Sequence, residues 1–410
     1  MATLDDRRSN TFDKLILWLY VLFVVLTPFY LWRSGLPQIA DFVMVLLLAS
    51  YLLRKRLVFV RPASTRHIVT VATLFVVHII VVNVTWMLLL GKVGGFGLTS
   101  LFYIYNYFVF LLTISLYADF GPRLIQTVFG ATVVSLLVQA AFFVVGGGFT
   151  GRRMVLWFNN PNQLGYYGLL TAAILMYCSK RTDVKRHWLA VGLLSATVLC
   201  LASLSKAAIV TCGAMMTIYI VARLPRWILG RMVVVLLGVI IVFGLFHEQL
   251  VEFYNTNRLL VAVRARVALI GRDSDDSLEG RGYDRIWKYP QYWVFGAGEG
   301  EWHRFDGRGM EFHSTLGNLQ VSYGFVGLSL FVTLLLLASR NDRHQNAFSI
   351  VAILAYGLTH NGIRNTLLWV LLALISCPIN ERRLVGVPRR PRAVNLLLVG
   401  TVKDMSEEID

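Results

Sequence analysis

The 410-residue sequence is 56% hydrophobic and only 15% charged, with a mean hydropathy of +0.62. That balance excludes an ordinary soluble protein and points to an all-α polytopic membrane protein. The formal net charge of +16 would suit a nucleic-acid binder. In a membrane protein it reflects basic cytoplasmic loops, so no nucleic-acid partner is expected.

The apolar runs are continuous rather than alternating, which excludes a β-barrel. Twelve candidate spans fall near 15–32, 37–53, 67–90, 99–118, 122–146, 161–178, 188–203, 206–223, 228–247, 315–338, 347–362 and 365–380. No cleavable signal-peptide pattern precedes the first, Leu15 to Trp32, which reads as a retained span. The chain thus divides into nine spans within 1–247, one large loop over 248–313, three spans within 314–380 and a tail over 381–410.

Charge placement gives the orientation. With a cytoplasmic N-terminus, the inner segments hold 24 of the 39 Lys and Arg residues. The short outer loops hold only Arg33, Lys92, Arg152, Arg153, Lys206 and Arg364, and the 248–313 loop holds the other nine. Both termini are therefore expected in the cytoplasm, with the large loop outside. For a bacterial inner membrane, outside is the periplasm. Cys178, Cys200, Cys212 and Cys377 lie in or beside apolar runs, giving neither a disulfide frame nor a metal cluster.

Arg152 and Arg153 break the positive-inside rule. They either meet lipid headgroups or line a cleft for an anionic ligand. They precede MVLWFNNPNQLGYYG, in which Asn160-Pro161-Asn162 reads as a turn and helix start. Lys206 lies in ASLSKAAIV between two apolar runs. A cation there is costly unless it snorkels to the interface or faces a polar cavity. The neighbouring Ala202, Ser203, Ser205, Ala207 and Ala208 allow close helix packing. Asp41, Asn83, Asn106 and Gln139 read as helix-packing groups, with Asp41 also able to pair with a buried cation.

The large loop opens with EQLVEFYNTNRLLVAVRARVALI, whose apolar spacing suits an amphipathic helix, on the membrane or packed on the loop. RDSDDSLEGRG follows as a linker and includes Asp273 and Asp275 in a D-x-D pattern, a weak metal signature. The densest stretch is Arg281 to Gly327. His313 stands where this stretch enters an apolar helix, with Ser314 as N-cap and Thr315 just inside. The helix dipole there disfavours an imidazolium, so the ring should stay able to accept a proton. Arg281, Arg285, Lys288, Arg304 and Arg308 are donors suited to a phosphate-bearing ligand. The plainer alternative is a solvated loop with a capping histidine. Arg364 lies in THNGIRNT beside His360, Asn361 and Asn365, either near a ligand or in a tight hydrogen-bonded turn. No Walker A, G-x-S-x-G or H-E-x-x-H pattern occurs.

In order, FNNPNQLG before a span, S-x-S-K at a tight junction, FGAGEG in a large outer loop and FHSTLGNLQVSYGFVG entering a span resemble the O-antigen ligase and polymerase family of the Wzy/WaaL type. The likeness covers about residues 150–340 and is most specific from His313 to Gly327. It implies a GT-C-like integral-membrane glycosyltransferase. Such an enzyme uses undecaprenyl-pyrophosphate-linked glycan as donor and acceptor at the periplasmic face, without metal or other cofactor. Membrane lipids, chain-length regulators and export proteins would be its partners. His313 matches the family's loop histidine, its general base. Arg281 best matches the loop arginine that binds pyrophosphate, with Arg285 a close rival. Lys206 stands where the family commonly has arginine, which weakens the case for bidentate phosphate contact there. Trp157, Phe158, Tyr166 and Tyr167 would border a groove for the lipid tail. Within the family, these motifs look more like those of exopolysaccharide polymerases. A ligase to lipid A core, a lipid-linked sugar transporter or flippase, and a structural partner in an envelope assembly are the competing readings.

Overall fold

The computed structural model describes residues 4–55, 58–59, 62–149, 152–222, 252, 255–268, 277–305, 311–340 and 343–378. The expected ninth span, the D-x-D pair, Arg308 and the tail lie outside the described residues. Among the described residues there are helices and turns but no strand. Among the described residues, five helices are long and apolar enough to cross a membrane: Ala63–Leu90, Gly94–Phe120, Pro122–Val145, Arg186–Ser203 and Thr315–Arg340. Shorter apolar helices cover Lys206–Val221, Phe348–Gly357 and Thr366–Ser376.

In chain order the longer elements are α1 Leu4–Leu26, α2 Ile39–Arg54, α3 Arg66–Leu90, α4 Gly94–Phe120, α5 Pro122–Val145, α6 Pro161–Arg181, α7 Arg186–Ser203 and α8 Lys206–Val221. They continue as α9 Arg258–Ala268, α10 Asp284–Lys288, α11 Thr315–Arg340, α12 Arg343–Gly357 and α13 Thr366–Ser376. All belong to one compact unit, Met1–Pro378. α1 ends at Leu26, short of the expected Trp32. Pro28 follows two residues later, and a residue preceding proline is pushed out of the helical region. The start of α6 follows its sequence signal: the Asn160 side chain accepts from the backbone N–H groups of Asn162 and Gln163, and Pro161 takes the first helical position. Asp41 caps α2, its Oδ2 accepting from Gln38 N at 2.7 Å.

Inside a bilayer the hydrophobic effect does not drive helices together, so close packing and internal hydrogen bonds must. α6 lies against α5, α7, α8 and α12, while α4 lies against α3 and α13. A Cβ on Gly165 would come within 2.7 Å of Ser203 Oγ and 2.8 Å of Ala208 Cβ. The small residues around the α7–α8 junction therefore let α6 approach closely. At the ends carrying Arg54 and Arg181, basic side chains tie the bundle: Lys55 Nζ to Asp119 Oδ1 at 2.9 Å, and Arg181 Nη1 to Cys377 O at 3.3 Å.

α11 is broken. Gly324 has φ 64° and ψ −169°, outside the helical region, between two helical halves. The segment 293–298 laces into the gap. Ala297 N donates to Val321 O at 2.8 Å and Gly298 N to Ser322 O at 2.7 Å. From the far side of the break, Phe325 N donates to Trp293 O at 2.6 Å and Val326 N to Val294 O at 3.3 Å. The freed Tyr323 carbonyl meets His78 Nε2 of α3 at 2.9 Å. Interrupted helices are tolerated at membrane depth only when such partners satisfy the backbone.

Candidate functional site

The turn between α12 and α13, residues 358–365, collects groups from four parts of the chain. Thr315 N, at the start of α11, donates to His360 O at 3.2 Å, and Thr315 Oγ1 accepts from Gly362 N at 2.9 Å. The Arg281 guanidinium donates to Thr359 O. A relay runs from Gly317 N to Ser314 Oγ at 2.9 Å, on to Tyr283 Oη at 2.7 Å, and on to Leu358 O at 2.7 Å. Ser314 is thus the N-cap that its sequence position suggests. His313, immediately before it, is exposed.

The α6 side joins the same turn. The Tyr166 and Tyr356 rings stack at 4.1 Å, and Tyr356 stacks on His360 at 4.6 Å. Tyr356 Oη donates to Asn162 O at 2.9 Å, and Arg153 Nη2 donates to Asn162 Oδ1 at 2.6 Å. Arg153 Nε reaches Ser203 O at 3.3 Å, next to the junction where Lys206 begins α8. Arg153, Arg281 and Arg364 are therefore connected through this turn, as is the start of α11 that carries His313. Lys206 is half-buried on the neighbouring helix start, and Arg152 is exposed beside Arg153.

Arg285 has a different environment. Only 2% exposed, it lies in a small core formed by the loop itself, its guanidinium 4.9 Å from the Phe312 ring centre and 5.7 Å from that of Phe305. Of the two arginines that sequence left as rivals, Arg281 is the one at the turn. Arg304 is a brace: it donates to Ala297 O and to Gly298 O, and lies over Trp86, Phe96 and Phe305. Burial pushes its guanidinium down to about 10, so it remains a cation at neutral pH. Of the four aromatics expected to border a lipid groove, Phe158, Tyr166 and Tyr167 are buried in helix packing and Trp157 is exposed.

Sequence reasoning missed Glu299. Its FGAGEG stretch belongs to the large outer loop, yet Gly296 through Gly300 are buried and Glu299 is only 1% exposed. Glu299 Oε2 accepts from Tyr103 Oη and Tyr323 Oη, each at 3.0 Å. Asn83 Oδ1 accepts the Glu299 backbone N–H at 2.9 Å. Arg364 Nε stands 3.6 Å from Glu299 Oε1, and Arg364 Nη2 donates to Glu311 Oε1. Asn106 Nδ2 fixes the Arg364 carbonyl at 3.0 Å. Asn83 and Asn106 thus do more than join helices; they hold this ionic centre. A polar side chain inside a Gly-rich segment flanked by aromatics was the one available signal.

No family model matches this chain, and no curated protein sequence matches it.

Proposed function

We infer that this chain is an integral-membrane glycosyltransferase that joins undecaprenyl-pyrophosphate-linked oligosaccharide units at the periplasmic face, growing a polysaccharide. The observation that supports this reading best is the shared turn: Arg364 belongs to residues 358–365, Arg281 donates to them, and Thr315, two residues after the exposed His313, is hydrogen-bonded to them. Such a site suits an anionic leaving group beside a base.

A sugar hydroxyl is a poor nucleophile, and His313 takes its proton as the oxygen attacks the anomeric carbon. The new carbon–oxygen bond forms while the anomeric bond to the pyrophosphate oxygen breaks. The electron pair leaves with the pyrophosphate, where Arg281 and Arg364 offset the growing charge. Attack opposite the leaving group inverts the anomeric centre, and the reaction as drawn needs no metal. The 248–313 loop carries nine Lys and Arg against eleven Asp and Glu. A slightly acidic loop suits a second lipid-linked unit better than the strongly anionic lipid A core as acceptor.

The broken helix favours a second reading, since discontinuous helices build substrate sites in transporters. Here, however, segment 293–298 fills the break with backbone hydrogen bonds. One assay separates the two. Purified protein in detergent, given lipid-linked oligosaccharide, should produce a ladder of glycosidically joined products. A transporter has no two compartments to connect in detergent and would leave the substrate unchanged, and that outcome would sink the enzyme reading. Gene deletion should leave single repeat units on the lipid carrier; full-length polymer on the carrier would mark a ligase.

A further inference from the structure

Arg364 is held between two carboxylates of unlike exposure. Glu299 is 1% exposed, with Oε2 committed to two tyrosines, and its buried Oε1 accepts no hydrogen bond while facing Arg364 Nε at 3.6 Å. Glu311 is on the open side, its side chain 37% exposed against 31% for Arg364, and it takes a charge-assisted hydrogen bond from Arg364 Nη2. Asn361 Nδ2 also donates to Glu311 Oε1, at 3.4 Å.

A guanidinium presents its N–H groups in a planar fork that fits carboxylate and phosphate oxygens alike. One counter-ion, Glu299, already neutralises Arg364 from the buried side. The second carboxylate brings surplus negative charge, and a pairing so exposed to water contributes little to stability. We propose that Arg364 is an anion-binding arginine whose open edge Glu311 occupies as an internal stand-in, and that a phosphate oxygen of the ligand displaces Glu311 from it. Phe312, the next residue, is fully buried under the Trp302 ring at 5.3 Å. The exchange therefore needs only the Glu311 side chain to swing outward, and His313 keeps its place at the head of α11. The ligand class rests on the lipid-pyrophosphate reading above, but the exchange itself does not require glycosyl transfer.

Titration calorimetry of the purified full-length protein in detergent with inorganic pyrophosphate tests this. Glu311→Gln keeps the shape and removes the competing charge, so pyrophosphate should bind about tenfold more tightly than to the unaltered protein. Glu311→Ala should do the same, and adding Arg364→Ala to either should abolish the gain. Equal affinity of the unaltered and Glu311→Gln proteins overturns the proposal. So does a gain that survives Arg364→Ala, because it would arise elsewhere on the cationic surface. The glycosyl-transfer reading fails separately: if the exchange behaves as stated and no product ladder forms, the anion site stands without that reaction.

Discussion

A methyl group on Gly324 would lie 2.1 Å from the carbonyl oxygen of Val294, inside the space that two non-bonded atoms need. The two residues belong to segments that pass through each other's territory: the break in α11 and the chain laced into it. Gly324 also has positive φ, which costs an L-residue roughly 1–2 kcal/mol before any clash. Val294 O cannot retreat, because it accepts from Val326 N. Gly324→Ala is therefore expected to destabilise the protein by at least about 2 kcal/mol. Thermal unfolding in detergent would show it as a clear fall in midpoint; an unchanged midpoint would mean that the break is not laced this way.

Glu299 supports two predictions of different size. In Glu299→Gln an amide oxygen still accepts from Tyr103 and Tyr323, and the loss is that of charge assistance. In Glu299→Ala two buried hydroxyls are stranded, at about 1–3 kcal/mol each. The alanine variant should therefore unfold well below the glutamine variant. Similar midpoints for both would mean that the tyrosines find other partners and that Glu299 is not their anchor.

These two sites mark where the sequence was legible and where it was not. Apolar run length located α3 through α8, and Asn160-Pro161 signalled the start of α6, because both signals are local. The break at Gly324 was illegible. Its run, 315–338, is hydrophobic enough on average to read as one span, and hydropathy does not register backbone dihedrals. Only the 293–298 segment, far from it in hydrogen-bonding periodicity, explains why the helix opens. Glu299 was illegible for a related reason: its partners Tyr103 and Asn83 are 196 and 216 residues away. The Arg364 turn was half-legible, since THNGIRNT is too polar for its position, but its carboxylate partners Glu299 and Glu311 come from a loop distant in sequence.

His313 and Ser314 should separate function from folding. Ser314 Oγ makes the cap and Tyr283 connects it to the turn, so Ser314→Ala should cost about 0.5–2 kcal/mol of stability. His313 is exposed, and the relay runs through Gly317, Ser314 and Tyr283. His313→Ala should keep the unfolding midpoint while lowering turnover of lipid-linked substrate by about 10²–10⁴. Near-normal turnover in the alanine variant would return the histidine to a surface role.

Orientation is open to a direct check. The basic residues Arg54, Lys55 and Arg181 end helices whose opposite ends lead to the 358–365 turn or its neighbours. Reporter fusions at Gly280 and Arg392 should read periplasmic and cytoplasmic respectively. Inverted readings would put the turn on the cytoplasmic side and remove the basis for a periplasmic site.

Arg281 and Arg285, four residues apart, should respond to substitution in opposite ways. Arg285 lies over two rings in the loop's own core, where a cation on an aromatic face contributes about 2 kcal/mol when desolvated. Arg285→Met retains the bulk and loses the charge, so the loop should loosen and the midpoint should fall. Its effect on KM for the donor should be small at temperatures where the variant is folded. Arg281 is half-buried and its guanidinium donates to Thr359 O on the turn. Arg281→Ala should raise KM for the lipid pyrophosphate with little change in midpoint. Arg281→Lys should recover little of that loss, because an ammonium cannot reach Thr359 O and a phosphate oxygen with the geometry of a planar fork. Full recovery by lysine would reduce the requirement at 281 to charge alone.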